Sequence, residues 1–282
     1  MAQDEDAGSL EPEETAPNGQ EEESSPPPAM HKFRRGVYIV PSLVTSMAFF
    51  CGFYAIVASI NGDFYRAAWA VILAMIFDGL DGRIARAIGA TSDFGVQLDS
   101  LSDLMAFGLA PAILMYNWVL QPYGRAGWMA AFLFALCGAL RLARFNIQQS
   151  TGSKNHFTGL PIPMAAGVLA TTVLLTRGAL EMEKAPEIAI LIMVYVLALL
   201  MVSSVPYRNF KYIDTKKRRS FHPFFGILSV FFIAALAPHH VLFALAVTYT
   251  LHGPVEAALA WRKGVPHPPV STGGETHPPE NG

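Results

Sequence analysis

Charged residues and cysteines are scarce in this chain, and each scarcity excludes a class of protein. Only 15% of the 282 residues are charged, whereas 52% are hydrophobic, so the chain is too apolar for an ordinary soluble domain. The only cysteines are Cys51 and Cys137, and both lie in apolar stretches, so we expect packing residues and no disulfide bond. Residues 1–30 contain no basic residue, which argues against a signal or transit peptide there.

The composition divides the chain into three parts. Residues 1–30 hold nine acidic side chains and five prolines and can bury little apolar surface, so we expect a disordered tail. Residues 31–263 form the predicted integral-membrane domain, and residues 264–282, rich in Pro, Gly and His, form a second flexible tail. Beyond the acidic tail, 20 basic residues outnumber 13 acidic ones, which suits an anionic membrane surface.

The apolar residues come in eight blocks. Each block is long enough, or nearly so, to cross a hydrocarbon core of about 30 Å with about 20 residues. The blocks are residues 38–60, 64–88, 95–120, 127–145, 163–178, 187–205, 221–237 and 240–262. We therefore predict an all-α fold, a polytopic membrane bundle of about eight transmembrane helices.

The distribution of Lys and Arg predicts the orientation of this bundle. With the N-terminus in the cytoplasm, all but Arg66, Arg125, Arg177 and Lys184 of the 20 basic residues lie on the cytoplasmic side. The end of the second block and the start of the third then lie on that side as well. A site built there would meet water-soluble substrates and admit lipid from the membrane.

Four aspartates stand in or beside these two blocks, where charge is expensive and usually functional. Residues 78–86 read D-G-L-D-G-R-I-A-R, and residues 95–103 read G-V-Q-L-D-S-L-S-D. Helical spacing places Asp78 and Asp81 on one stripe, and Asp99 and Asp103 on another. Clustered carboxylates repel one another unless cations neutralise them. We therefore expect these carboxylates to bind hard divalent cations, Mg²⁺ or Mn²⁺.

Small and basic residues accompany the carboxylates. Gly82, Ala85 and Gly95 remove bulk where a phosphate-bearing ligand could approach the backbone between the two helices. Arg86 adds a guanidinium group suited to a phosphate. A two-metal carboxylate site with an adjacent arginine suits phosphoryl-type transfer.

The whole pattern, D-x-x-D-G-x-x-A-R-x8-G-x3-D-x3-D, resembles the signature of the CDP-alcohol phosphatidyltransferases without a substitution. The resemblance implies that CDP-diacylglycerol is the donor, that an alcohol attacks the phosphorus bearing the lipid, and that CMP leaves. It implies two divalent ions, one held by Asp78, Asp81 and Asp99 and the other held or bordered by Asp78, Asp99 and Asp103. Asp103 would be the general base. The CDP-binding residues it implies are Gly82, Ala85, Arg86 and Gly95.

Other stretches concern the acceptor alcohol. They read Y-I-V-P-S-L-V-T at 38–45, C-G-A-L-R-L-A-R-F-N at 137–146, F-T-G-L-P-I-P at 157–163 and S-S-V-P-Y-R-N-F-K at 203–211. Over roughly residues 32–262 the chain resembles the membrane-embedded class of phosphatidylserine synthases, which implies L-serine as the acceptor. Arg141 and Arg144 could hold the serine carboxylate, with Asn146 as a polar partner. The alternative for both arginines is a snorkelling anchor at a helix end.

One position departs from the resemblance. Relatives typically carry Asn after the proline at position 41, whereas this chain has Ser42, which offers one hydroxyl in place of an amide. If that side chain contacts the nucleotide, the affinity for the donor would differ.

Two alternatives to serine transfer stay open. A phosphorylated acceptor such as glycerol 3-phosphate or inositol phosphate would call for a denser basic pocket. A divalent-cation transporter could also use intramembrane carboxylates, but it would not need Gly82, Ala85, Arg86 and Gly95 at fixed offsets.

The expected partners and location follow from this interpretation. They are CDP-diacylglycerol, L-serine and membrane lipid, with no nucleic acid, and a homodimer is left open. The expected location is the inner membrane of a bacterium, with the active site on the cytoplasmic side.

Overall fold

The computed structural model describes residues 28–88, 93–150, 159–180, 185–203, 205 and 237–262. Every regular element in these ranges is helical, which confirms the all-α class. The chain divides into two units, Met1–Gly36 and Val37–Gly282. Within the first unit only helical backbone from Pro28 onward is described, so both predicted tails fall outside the described residues for most or all of their length.

The described α-helices follow the predicted apolar blocks. They are α1 (Pro28–Ile60), α2 (Phe64–Ile88), α3 (Asp93–Asp103), α4 (Ala110–Met115), α5 (Gly124–Ser150), α6 (Ile162–Leu174), α7 (Glu187–Val202) and α8 (Pro238–Arg262). The chain stays helical between α3 and α5 through two π-helical segments, Leu104–Leu109 and Tyr116–Leu120, and a 3₁₀ turn, Gln121–Tyr123. A further π-helical segment, Leu175–Ala179, extends α6.

Within the described part of the chain, three helical stretches are long and apolar enough to cross a membrane, judged by length and composition. They are Ser42–Ile60, Phe94–Gln148 and Ile162–Ala179, and the shorter helix Glu187–Val202 is also apolar. The predicted block at 221–237 lies outside the described residues except for its last residue. The total of eight crossings therefore stays a prediction.

The chain reverses direction inside the longest of these stretches. Gly124 ends the 3₁₀ turn with a φ of 51°, a value that glycine adopts without the steric cost of a side chain. From there α5 packs back against α4 and the π-helical segments on either side of it. This reversal places the C-terminal half of α5 beside the end of α3.

The helices of the bundle pack closely against one another at small residues. The main contacts pair α5 with α7, α2 with α6, and α6 with α8. A Cβ atom at Gly52 of α1 would lie 2.6 Å from the Cα atom of Ala106, and one at Gly138 of α5 would lie 2.5 Å from Cδ1 of Ile162. Such contacts are typical of membrane helices, where small residues let backbones approach. Both cysteines are buried and free, as expected.

Candidate active site

Three of the four predicted carboxylates converge between α2 and α3. Asp78 lies on α2, and Asp99 and Asp103 lie one turn apart on α3. One carboxylate oxygen from each lies within 4.8 Å of the other two, and all three side chains are partly buried. A set of carboxylate oxygens this close together fits a hard divalent cation, which would also relieve the mutual repulsion of the three groups. We call Asp78, Asp99 and Asp103 the carboxylate triad.

Asp81, the fourth predicted ligand, makes a different contact. Its side chain is only 4% exposed, and its Oδ2 atom accepts a hydrogen bond of 2.8 Å from the hydroxyl of Thr45 on α1. It is not part of the group of oxygens within 4.8 Å. Asp81 thus lies three residues after Asp78 on α2, and one of its carboxylate oxygens is hydrogen-bonded to α1.

The predicted CDP-binding residues lie on the same two helices. Gly82 follows Asp81 on α2, Gly95 precedes Asp99 by one turn on α3, and both are partly buried. The side chains of Ala85 and Arg86, toward the end of α2, lie outside the described part of the chain.

A cavity of about 340 Å³ opens beside the triad. Its polar lining residues come from three helices and are Asp99, Ser100, Asp103, Arg141, Asn146 and Tyr249. The other lining residues, among them Val96, Phe145 and Pro161, are nonpolar. This volume lies at the lower end of the range of small-molecule sites, about 300–1,000 Å³.

The structure separates the two arginines that the sequence pairs. Arg141 lines the cavity together with Asp99 and Asp103, whereas Arg144 is exposed and is not a lining residue. Within the described residues, Arg141 is also the one cationic side chain of the lining. Its Nε atom is buried and has no hydrogen-bond partner among the described residues. Because an unpaired buried donor is costly, an anionic ligand in the cavity would stabilise this side chain.

Asn146, the predicted polar partner of the serine ligand, lines the cavity, and its amide has a protein partner. Its Nδ2 atom donates a hydrogen bond of 2.9 Å to the Ser100 hydroxyl, which in turn donates to the Val96 carbonyl at 3.1 Å. These contacts join α5 to α3 one turn from Asp103. Asn146 therefore connects the helix of Arg141 to the helix of the triad.

The described residues of the stretches F-T-G-L-P-I-P and S-S-V-P-Y-R-N-F-K meet beside the cavity through Gly159 and Val205. Gly159 donates its N–H to the Val205 carbonyl at 2.9 Å, and Leu160 donates to the Leu200 carbonyl at 3.0 Å. Gly159 has a φ of 87°, and a Cβ atom there would collide with the carbonyl oxygen of Met201. A glycine is therefore required at this point, where the chain enters α6 and lines the cavity.

Two residues near the site were not predicted from the sequence. Tyr249 lines the cavity from α8, and Thr45 binds Asp81 from α1. The only signal for Tyr249 is a phenol in an apolar helix far along the chain. Thr45 stands in the stretch Y-I-V-P-S-L-V-T, but its partner was not evident from the spacing.

Comparison with known proteins bears on this arrangement. Residues 38–207 match the sequence model of the CDP-alcohol phosphatidyltransferase family. The chain belongs to this family. The matched segment includes the triad, Asp81 and Arg141, but it ends before α8, so Tyr249 reaches the cavity from outside the matched segment.

Named relatives are similar to the chain over 60% or more of its length. A CDP-diacylglycerol–serine O-phosphatidyltransferase of Helicobacter pylori is 41% identical over 175 residues, which cover 62% of this chain and 74% of the relative. An archaetidylserine synthase of Methanothermobacter thermautotrophicus is 39% identical over 170 residues, 60% of this chain and 69% of the relative. A CDP-diacylglycerol–serine O-phosphatidyltransferase of Mycobacterium tuberculosis is 30% identical over 245 residues, 84% and 85% of the two chains.

Proposed function

We propose that this protein transfers the phosphatidyl group of CDP-diacylglycerol to the hydroxyl of L-serine, giving phosphatidylserine and CMP. The observation that carries the proposal is the position of Arg141, whose guanidinium lines the same cavity as two carboxylates of the triad. The relatives named for serine transfer support the same acceptor.

The metal site would be built from the predicted aspartates. Asp78, Asp99 and Asp103 would hold or border one divalent ion, and Asp78, Asp81 and Asp99 the other, with Mg²⁺ or Mn²⁺ as the ions. The support is the all-oxygen donor set of the triad and its partial burial. When bound, such ions neutralise phosphate charge and orient the donor.

The nucleotide would lie against the small residues of α2 and α3. Gly82, Ala85 and Gly95 would leave room for it between the helices, and Arg86 would pair with a phosphate. This arrangement would direct the phosphorus that bears the lipid toward the cavity lined by Asp103.

The acceptor would bind in the cavity. Arg141 would hold the serine carboxylate by a charge-assisted hydrogen bond and so orient the serine hydroxyl toward Asp103. A carboxylate oxygen of Asp103 would take the hydroxyl proton as the serine oxygen bonds to phosphorus. The bond from phosphorus to the CMP oxygen breaks at the same time, and CMP leaves with the electron pair.

The lining of the cavity favours serine over a phosphorylated acceptor. Glycerol 3-phosphate and inositol phosphate bring a phosphate of nearly two negative charges, and phosphate sites usually combine several donors. Within the described lining Arg141 is the single cationic group, which matches one carboxylate. Family membership weighs against the transporter alternative.

We further propose an integral-membrane domain at residues 31–263 with about eight crossings, placed in a bacterial inner membrane with the site on the cytoplasmic side. The 55-residue stretch Phe94–Gln148 is more than twice the roughly 20 residues that one crossing needs, and it reverses at Gly124. It would therefore cross twice. A homodimer stays a prediction.

A comparison of acceptors tests the proposed function. Purified protein is given CDP-diacylglycerol and Mn²⁺ with serine, glycerol 3-phosphate or an inositol phosphate, and the release of CMP is measured for each. We expect serine to drive release far above the acceptor-free rate. Comparable or faster release with a phosphorylated alcohol would refute serine as the acceptor.

A further inference from the structure

Thr45 connects three helices at the candidate active site, although it carries no charge. Its side chain on α1 is 6% exposed, and it lies between Asp81 of α2, which is 4% exposed, and Ser102 of α3, which is 1% exposed. Burial of unpaired polar groups costs free energy, so three buried polar residues in contact within an apolar bundle are expected to be hydrogen-bonded to one another.

The hydroxyl and the backbone carbonyl of Thr45 both make hydrogen bonds here. The hydroxyl donates to Oδ2 of Asp81 at 2.8 Å, and the backbone carbonyl accepts a hydrogen bond of 3.1 Å from the Ser102 hydroxyl. A helical carbonyl has a second lone pair, so it can accept from Ser102 in addition to its helical partner. One residue of α1 is thereby hydrogen-bonded to both helices that carry the aspartates.

The positions of these contacts relate them to the carboxylates. Ser102 directly precedes Asp103 on α3, and Asp81 lies three residues after Asp78 on α2. A hydrogen bond to an ionised, buried carboxylate is stronger than one between neutral groups, and it fixes which oxygen remains available to a cation. A shift of α1 would therefore displace both sides of the triad.

We propose that Thr45 is a positioning residue, which orients the Asp81 carboxylate and sets the spacing of α2 and α3 so that the aspartates can bind a divalent cation. This inference rests on the proposed function for the identity of the ligand. It does not depend on serine as the acceptor, since metal binding can be measured without either substrate.

The experiment measures Mn²⁺ binding to the full-length protein in detergent, from the electron paramagnetic resonance signal of free Mn²⁺. Mn²⁺ alone is the probe. Thr45→Val removes the hydroxyl with little change of shape, and Thr45→Ser keeps it. Hydrogen-bond partners of metal ligands typically contribute about 10–100-fold to metal affinity, so we expect Thr45→Val to weaken Mn²⁺ binding by about tenfold or more. Thr45→Ser should bind within about threefold of the wild type.

Thr171→Val is the matched control. Thr171 is 2% exposed, and its hydroxyl donates to the carbonyls of Gly167 and Val168 in its own helix, α6. It loses a buried hydroxyl as Thr45→Val does, but away from the aspartates, so its Mn²⁺ affinity should equal that of the wild type.

Two outcomes would overturn the inference. Wild-type Mn²⁺ affinity in folded Thr45→Val would mean that the hydroxyl does not serve the metal site. Equal weakening in Thr45→Ser, which keeps the hydroxyl, would mean that the effect does not depend on the hydroxyl. If Thr45→Val does not fold, Ser102→Ala decides the matter, because it removes the other hydrogen bond without placing an apolar group beside Asp81. We expect it to weaken Mn²⁺ binding by about threefold or more, and wild-type affinity would then refute the proposal.

Discussion

The two arginines of α5 illustrate what individual residues contribute to the site. Arg141 and Arg144 stand three apart on one helix and have similar positions in the sequence pattern, yet only Arg141 lines the cavity. Side chains three residues apart on a helix point in similar directions, so spacing alone cannot say which arginine faces a ligand. The packing of α6, α8 and the segment at Gly159 makes that choice.

The first prediction compares these two residues. Arg141→Ala should raise the KM for serine by about tenfold or more, since a hydrogen bond to a charged group is worth about 1.5–3 kcal/mol. The KM for CDP-diacylglycerol should change little. Arg144→Ala should have a clearly smaller effect on the serine KM. Steady-state kinetics with each substrate varied in turn would measure both, and a larger effect of Arg144→Ala would contradict the placement of the cavity.

A second prediction concerns Asp103 as the proton acceptor. Asp103→Asn keeps the shape of the side chain but loses its basicity, so we expect kcat to fall by about 10²–10⁴-fold at saturating serine. Asp78→Asn should weaken the metal-dependent binding of CDP as well as the rate, because Asp78 is proposed to serve both ions. Rate and CDP-binding assays on variants that elute as folded protein would separate the two. Near-normal turnover of Asp103→Asn would assign the proton to another group.

At the scale of elements, the helices were largely predictable and the contacts between distant segments were not. Continuous apolar blocks predicted most helices, and the four-residue spacing of Asp99 and Asp103 predicted the side of α3 that bears them. The reversal at Gly124 falls between the predicted blocks 95–120 and 127–145, whereas the contact of Gly159 with Val205 joins residues distant in the sequence. The same holds for Asp81, whose partner Thr45 lies on a different helix.

The third prediction tests the segment that leads into α6. Gly159→Ala should lower the melting temperature in detergent and raise the KM for serine, because the added methyl group meets the Met201 carbonyl at the cavity wall. Gly62→Ala is the control, since Gly62 has a similar φ of 78° but an added Cβ atom there would have open space around it. Positive φ costs a non-glycine residue about 1–3 kcal/mol, so both variants lose stability. Only Gly159→Ala should lose serine affinity, and an equal KM in the two variants would refute this role.

At the scale of the whole molecule, charge and hydrophobicity predict how the bundle lies in the membrane. Among the described residues, three stretches have the length and composition of spans, but α2, which carries Asp78 and Asp81, is not among them. If α2 crosses the membrane as proposed, its two aspartates and three arginines account for its absence from these stretches. The proposed crossing of α2 rests on its length of 25 residues and on the predicted location of its two ends on opposite sides of the membrane.

The fourth prediction tests that crossing. Asn61→Cys and Ala87→Cys place an exposed thiol near either end of α2, while the native Cys51 and Cys137 are buried. In intact bacterial spheroplasts, a membrane-impermeant maleimide should label Asn61→Cys and leave Ala87→Cys unlabelled until the membrane is permeabilised. The unsubstituted chain is the control for background labelling. Labelling of Ala87→Cys from outside would contradict the cytoplasmic position of the site.

The central claim is that the carboxylate triad and the Arg141 cavity together transfer a phosphatidyl group to serine. Its most direct test follows radiolabelled serine into chloroform-extractable lipid while CMP is measured in the same reaction. We predict label in lipid only when CDP-diacylglycerol and a divalent cation are both present, with one CMP released for each labelled lipid formed. Label incorporated without CDP-diacylglycerol, or CMP released without labelled lipid, would contradict the claim.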